Sequence, residues 1–309
     1  MFSNTMRRSH TSCSRLLPAL GCALAFTAAQ LRAQNSDSVV CTSCAAWNAP
    51  QMPFRVFGNT YYVGTHGLGS ILITSDSGHV LIDGGLAQSA DVIIANIRAL
   101  GFRIRDVKLI VNSHAHFDHA GGISELQRRS GARIMASPWS AEVLKTGMTG
   151  RADPQYTIAL PIARVANVGV ISDDETLHVG STAVTSHFTP GHTPGGTSWS
   201  WRSCEASRCL DIVYADSQTP VSADGFLYSR NTSYPNAIHD FEHSAAVLET
   251  LPCDILLTPH PDASSLWERL ARQAAGDANA FINPSGCREL AARARAELAK
   301  RIDVETKVR

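Results

Sequence analysis

The chain has no excess of charge of either sign. Its 309 residues carry 27 Lys and Arg against 27 Asp and Glu, interspersed, for a formal net charge of zero. No basic stripe or acidic block is present to meet a polyanion or an anionic bilayer, so neither nucleic acid nor a membrane surface is expected as a partner. Beyond residue 33 no apolar run approaches the ~20 residues that a membrane-spanning helix needs, so no stable membrane association is expected of the mature chain. There is also no Ser-x-x-Lys to mark an acylating serine, and no covalent Ser or Cys nucleophile is expected. Cysteines are few, 8 in all. The one Cys-x-x-Cys, Cys41-Thr42-Ser43-Cys44, has nothing like a thioredoxin unit around it, which argues against a redox role.

What is present is a 44% hydrophobic content, enough for a sizeable core. At the start, Arg7, Arg8 and Arg15 precede an apolar run from Leu16 to Ala29, and Leu31-Arg32-Ala33 follows. Basic, then apolar, then small is the order of a secretory signal. Cleavage near Ala33 would release one mature domain, residues 34–309, which in a bacterium means a periplasmic protein. Export permits disulfides. Loss of Cys13 and Cys22 with the signal leaves an even set. Cys204 and Cys209 flank a short polar stretch between two strand-like runs and read as a hairpin staple. Cys253 precedes a strand and Cys287 opens the last helix, so a bond between them would tie that helix to the sheet. The sequence leaves the state of Cys41 and Cys44 open.

Residues 54–83 are short apolar segments broken by Gly58-Asn59 and Ser77-Gly78, the pattern of an antiparallel meander. Val92, Ile93, Ile97 and Leu100 then recur at helical spacing, with Gly101 as the stop. Residues 137–170 have no clear period and are broken by Gly147, Gly150, Pro154 and Pro161, so an irregular lid or link is expected there. From His178 the strand pattern returns, and helices are expected over 237–251, 265–275 and 287–301. Meander plus helix, twice over, predicts an α/β fold of two packed sheets with helices on both outer faces.

The densest chemistry lies in His114-Ala115-His116-Phe117-Asp118-His119, directly after the buried-strand run Val107–Val111. Gly121-Gly122 and an amphipathic segment follow, so the histidines sit on a strand-to-helix loop that can aim several side chains at one point. Imidazole and carboxylate are the nitrogen and oxygen ligands of a catalytic zinc site. His114 and His116 alternate along an extended segment and face one side, while Asp118 and His119 turn toward a second point. One hexapeptide thus supplies half-shells for two metals. Thr189-Pro190-Gly191-His192 and Thr258-Pro259-His260 each end a strand at a proline. His192 would complete a shell with His114 and His116, and His260 one with Asp118 and His119. His239 and His243, one helical turn apart, read as a solvated face. His66, His79, His178 and His187 read as strand or turn residues. Asp83, at the end of Leu81-Ile82-Asp83, reads as a turn residue or as a carboxylate orienting the metal loop.

Together with Asn59-Thr60-Tyr61-Tyr62-Val63-Gly64-Thr65, the stretch Pro190–Trp199 and Val213-Tyr214-Ala215-Asp216-Ser217, these motifs resemble the metallo-β-lactamases, specifically subclass B3. The likeness runs from about Trp47 to Cys287. It implies an αββα sandwich of two mixed β-sheets, with two Zn2+ in a groove at one sheet edge. It implies that His114, His116 and His192 hold the first zinc, and Asp118, His119 and His260 the second. Ser217 and Thr219 would bind the substrate carboxylate, and a Cys253–Cys287 bond is typical of the group. His66 departs from close relatives that carry a cysteine there. The implied reaction is opening of a small-molecule β-lactam (penicillins, cephalosporins and carbapenems) by zinc-bound hydroxide oriented by Asp118, conferring antibiotic resistance. Nothing in the sequence demands a dimer, and a monomer is expected. The alternative is another dizinc hydrolase of the same fold, a thioester hydrolase or lactonase. Those use an aspartate that bridges the metals, and Asp216 lies in the right neighbourhood. A non-enzymatic metal-binding protein fits an open, water-bearing site less well.

Overall fold

Short apolar runs separated by tight turns build a first sheet of seven strands. β1 (Phe54–Phe57), β2 (Thr60–Tyr62), β3 (Ile71–Ile73) and β4 (His79–Ile82) form an antiparallel meander. β5 (Val107–Val111), β6 (Arg133–Ala136) and β7 (Val168–Val170) extend it in parallel. The second sheet has β8 (Thr176–Val179), β9 (Thr182–Phe188), β10 (Thr197–Glu205) and β11 (Arg208–Tyr214) antiparallel, with β12 (Ile255–Leu257) parallel to β11. The structure is a computed structural model that describes residues 38–307. The expected signal segment, residues 1–33, lies outside them.

The helices are α1 (Cys44–Trp47), α2 (Ser89–Ala99), the single turn α3 (Phe117–Ala120), α4 (Ile123–Ser130), α5 (Pro138–Thr146), α6 (Ala237–Thr250), α7 (Leu266–Ala274) and α8 (Gly286–Lys307). Strand periodicity decides the layers. Ile71, Ile73, Val80, Ile82, Leu109 and Val111 face inward and meet Val184, Trp199, Trp201, Ile212 and Tyr214 of the second sheet. Their neighbours Leu72, Leu81 and Ile110 face outward, onto Ile93 and Ile97 of α2, Ile123 and Leu126 of α4 and Leu144 of α5. On the far side Val213 and Leu256 pack against Leu248 of α6 and Leu290 of α8. Helix, sheet, sheet, helix is the result. Central strands buried on both faces are why their sequence runs are continuously apolar.

Two features of residues 137–170 depart from the irregular stretch expected there. Residues 138–146 are helical, with Pro138 at the first turn and Gly147 closing the end at φ 80°. Proline preset for a first turn and glycine free to adopt the left-handed cap are start and stop signals, and the surrounding breakers obscured them. Val168–Val170 is the edge strand β7, too short to show a period. Between them, 147–167 is indeed turn and coil.

Cys204 bonds Cys209 across the β10–β11 hairpin, Cys253 bonds Cys287, and Cys41 bonds Cys44. The Cys253–Cys287 bond closes 34 residues and anchors the start of α8 beside β12. In the chain-entropy account such a loop stabilises by roughly 3–4 kcal/mol. Cys253→Ser is therefore expected to lower Tm by about 7–14 °C. A scan with unchanged Tm would show that this tether carries no stability.

Candidate metal centre

The topology brings four strand ends to one edge. β9 and β11 each run antiparallel to β10, and β12 runs parallel to β11, so all three end on the same side. β9 leads into His192, β11 into Asp216–Thr219 and β12 into His260, while β5 of the facing sheet leads into His114 and His116. Asp118 and His119 lie in the single turn α3 that follows. The backbones there are packed closely. A Cβ on Gly196 would stand 2.4 Å from Asp216 Oδ2 and from Thr189 O, so the approach tolerates only glycine.

One ligand atom each from His114, His116 and His192 lies within 4.8 Å of the others, and the same holds for His114, Asp118 and His119. His260 Nε2 is 3.3 Å from His119 Nε2 and 3.4 Å from Asp118 Oδ2. All six residues expected at the site are thus brought together, with His114 adjoining both groups. His239 and His243 are exposed on α6. His66 stacks on Trp267 with ring centroids 4.5 Å apart, and His187 lies between Asp174 and Ser200.

Four of the five rings are turned by a partner on the outer nitrogen. His114 Nδ1 donates to Asp216 Oδ1 at 2.7 Å, and His192 Nδ1 donates to Thr219 O at 2.8 Å. His116 meets the Asp153 carboxylate through Nε2 at 3.0 Å, and His260 Nδ1 approaches Gly67 O at 3.3 Å. The exception is His119, whose Nδ1 is buried without a hydrogen-bond partner and has Asp83 Oδ2 4.0 Å away. The inward nitrogens converge, and this is the arrangement that fixes tautomer and ring direction in metal sites. Asp153 was not found by sequence reasoning, because it stands in the stretch that has no period. Asp216, which the sequence offers only as a metal-bridging carboxylate, has its Oδ1 behind His114.

The donor set fits a bound cation. His114 Nε2, which adjoins both groups of ligand atoms, is buried with no hydrogen-bond partner. Asp83, Asp118, Asp153 and Asp216 are all at most 6% exposed, and among the described residues none pairs with a lysine or arginine. Burial pushes the Asp216 carboxyl well above the usual range. Burial also opposes ionisation of Asp118, but His119 and His260 outweigh it and hold that carboxyl well below the usual range. Burial, with neighbouring imidazoles, drives His114 far down, and burial with His116 takes His192 to about 3. Neutral imidazoles at His114 and His192 beside the ionised carboxylate of Asp118 suit a bound cation.

The centre opens into a groove of about 510 Å³, lined by Trp47, His116, Phe117, Asp118, Gln155, Ile158, His192, Thr219, Val221 and His260 among others. Thr219 stands on its wall, while Ser217 lines a smaller cavity behind it with Gln218 and His260. The Cys41–Cys44 loop forms part of the rim.

A family model described as the metallo-β-lactamase superfamily matches residues 69–285. The chain belongs to the metallo-β-lactamase superfamily. Membership implies a resident metal, which the donor set accommodates. Among solved structures, Rm3 metallo-β-lactamase is 54% identical with a TM-score of 0.85, over 87% of this chain and 100% of that one. MEM-A1, a subclass B3 metallo-β-lactamase from a soil metagenome library, is 50% identical with a TM-score of 0.84, over 85% and 100%. This metallo-β-lactamase is thus similar to subclass B3. It is also 28% identical to the N-acyl homoserine lactonase AttM of Azorhizobium caulinodans over 191 residues, 51% of this chain and 70% of the lactonase.

Proposed function

We propose that the protein hydrolyses the amide bond of β-lactams with two zinc ions, and so confers resistance to these antibiotics. The observation that carries this reading is the convergence of five imidazoles and Asp118 at the floor of an open groove, in a chain half identical to subclass B3 enzymes. His114, His116 and His192 would hold one ion, and Asp118, His119 and His260 the other. Bound there, zinc supplies Lewis acidity and brings the pKa of water to about 7. The chain's own residues do the rest. Asp118 Oδ accepts a proton from the attacking water and fixes its direction toward the lactam carbonyl. Thr219, with Ser217 behind it, offers hydroxyls to the substrate carboxylate. Trp47, Phe117, Ile158 and Val221 give the groove apolar sides that shield the reacting carbonyl from bulk water.

The lactonase or thioester-hydrolase alternative needs an aspartate between the metals. Asp216 belongs to neither group of converging ligand atoms, and its Oδ1 meets the outer nitrogen of His114, which favours the β-lactam reading. We further propose that residues 34–309 act as one domain in the periplasm, as a monomer, after removal of residues 1–33. Among the described residues no helix is long and apolar enough to cross a membrane.

The test is hydrolysis of a carbapenem by the purified protein, with and without a chelator. Turnover that falls to background with chelator and returns with zinc is expected. A folded, zinc-loaded protein with no turnover on carbapenem, penicillin or cephalosporin would sink the reading, and lactones and thioesters would be assayed next.

A further inference from the structure

His260 differs from the other ligand candidates in how its backbone is held. His114 and His192 follow the interior strands β5 and β9, whereas His260 follows the edge strand β12, between Leu257 and a short 3-10 turn, Pro261–Ser264. Its ring has one polar contact on its outer nitrogen, the 3.3 Å approach to Gly67 O, and Trp47 packs beside it at 5.3 Å. Gly69 N donates to Pro259 O at 2.7 Å and holds the middle of the loop; its two ends are held from α7.

Arg269, on α7, is 8% exposed and has no carboxylate partner among the described residues. Its Nη1 donates to Leu256 O at 2.8 Å and to Ser264 O at 2.9 Å, and its Nη2 donates to Phe281 O at 2.5 Å. Leu256 and Ser264 bracket the His260 loop on its two sides. Within the bracket, Thr258 Oγ1 donates to His260 O at 2.7 Å and contacts Ser264 Oγ at 3.0 Å. The Arg269 guanidinium carbon also lies 5.7 Å from the Phe281 ring centroid, while Nε has no hydrogen-bond partner, and a buried guanidinium without a carboxylate is costly in isolation. Burial, and then Arg272, lower its pKa to about 10, which leaves it charged at neutral pH. A lysine could not replace it, since an ammonium lacks the planar fork that reaches three carbonyls at once.

We propose that Arg269 is a positioning residue for the second metal. By clamping Leu256 O and Ser264 O together, it sets the His260 loop in its ligand-bearing shape before any metal binds. The inference rests on His260 being a ligand. It is not a contact with substrate or metal, so its signature is in metal affinity and loop order rather than in the chemistry.

The test compares wild type with Arg269→Lys, Arg269→Met and His260→Ala. Metal content per chain is measured by mass spectrometry after equilibration in zinc buffers, and cobalt spectra are recorded beside it. The expected result is that both Arg269 variants bind the first equivalent as wild type does and the second about tenfold or more weakly, in line with losses seen on removing outer partners of metal ligands. His260→Ala should lose the second equivalent outright. Two unchanged equivalents in both Arg269 variants would overturn the proposal, even if their Tm falls. Two unchanged equivalents in His260→Ala would instead overturn the site reading. Should the Arg269 variants fail to fold, hydrogen exchange on the wild type decides. The Ala263 and Ser265 amides, bonded to His260 O and Asp262 O, should be protected in metal-stripped protein. Protection that appears only on adding zinc would overturn prior ordering by Arg269.

Discussion

Asp118→Asn is expected to lower kcat/KM on a β-lactam by about 10²–10⁴-fold, the range that a positioned proton acceptor contributes. Asp118 is 6% exposed, and its Oδ2 lies 3.3 Å from His119 Nε2 and 3.4 Å from His260 Nε2. Those imidazoles keep its carboxyl ionised despite the burial that opposes it. An amide of the same shape preserves packing but carries no charge and accepts no proton. It is also a poorer metal ligand, so two losses are possible and can be separated. Zinc content should fall toward one equivalent per chain, and the activity deficit should persist when zinc is added to saturation. Restoration of full activity by excess zinc would confine Asp118 to metal holding. Turnover within tenfold of wild type at any zinc level would remove it from the chemistry altogether.

What the sequence made legible was local. The hexapeptide 114–119 could be read because its donors are crowded into six residues after an apolar strand, and the fold delivers them as that spacing requires. His192 and His260 were legible because each follows a strand and a proline, at ends the topology gathers on one edge. The partners that turn the rings were another matter. Asp216 is 102 residues from His114, and Asp153 is 37 from His116. An aspartate on a loop has no periodicity to announce its target, and only the folded chain shows which imidazole it faces. Arg269 is harder still. It reads as one of several charges on an amphipathic helix, and its burial depends on three carbonyls from separate segments. The layer order was legible from strand periodicity, but α5 and β7 were not, since nine and three residues among glycines and prolines give too little pattern.

Asp83 shows how the strands hold the metal loop, and it predicts the largest loss of stability. It sits at φ 62° with no exposed surface, a left-handed conformation that most side chains disfavour. Its Oδ1 accepts from Ser113 N at 2.7 Å, and its Oδ2 accepts from Ser113 Oγ at 2.7 Å and Tyr214 OH at 2.8 Å. Ser70 Oγ donates to its carbonyl at 2.8 Å. One side chain thus joins β4, the residue before His114, and β11 of the other sheet. Asp83→Ala keeps the strained backbone, strands the two Ser113 donors and leaves Tyr214 OH only its 3.3 Å contact with Gly69 O, at about 1–3 kcal/mol for each donor that finds no substitute. With partial relief by water, a loss of about 3–5 kcal/mol is expected, which is a Tm lower by about 6–20 °C. Asp83→Asn should cost less. Asparagine tolerates the left-handed region, its oxygen can still accept from Ser113 N, and the two hydroxyls can rotate to accept from its amide. Because Ser113 directly precedes His114, zinc affinity should fall in Asp83→Ala as well as Tm. An alanine variant melting within about 2 °C of wild type, with unchanged zinc content, would mean that the loop holds its shape without this carboxylate.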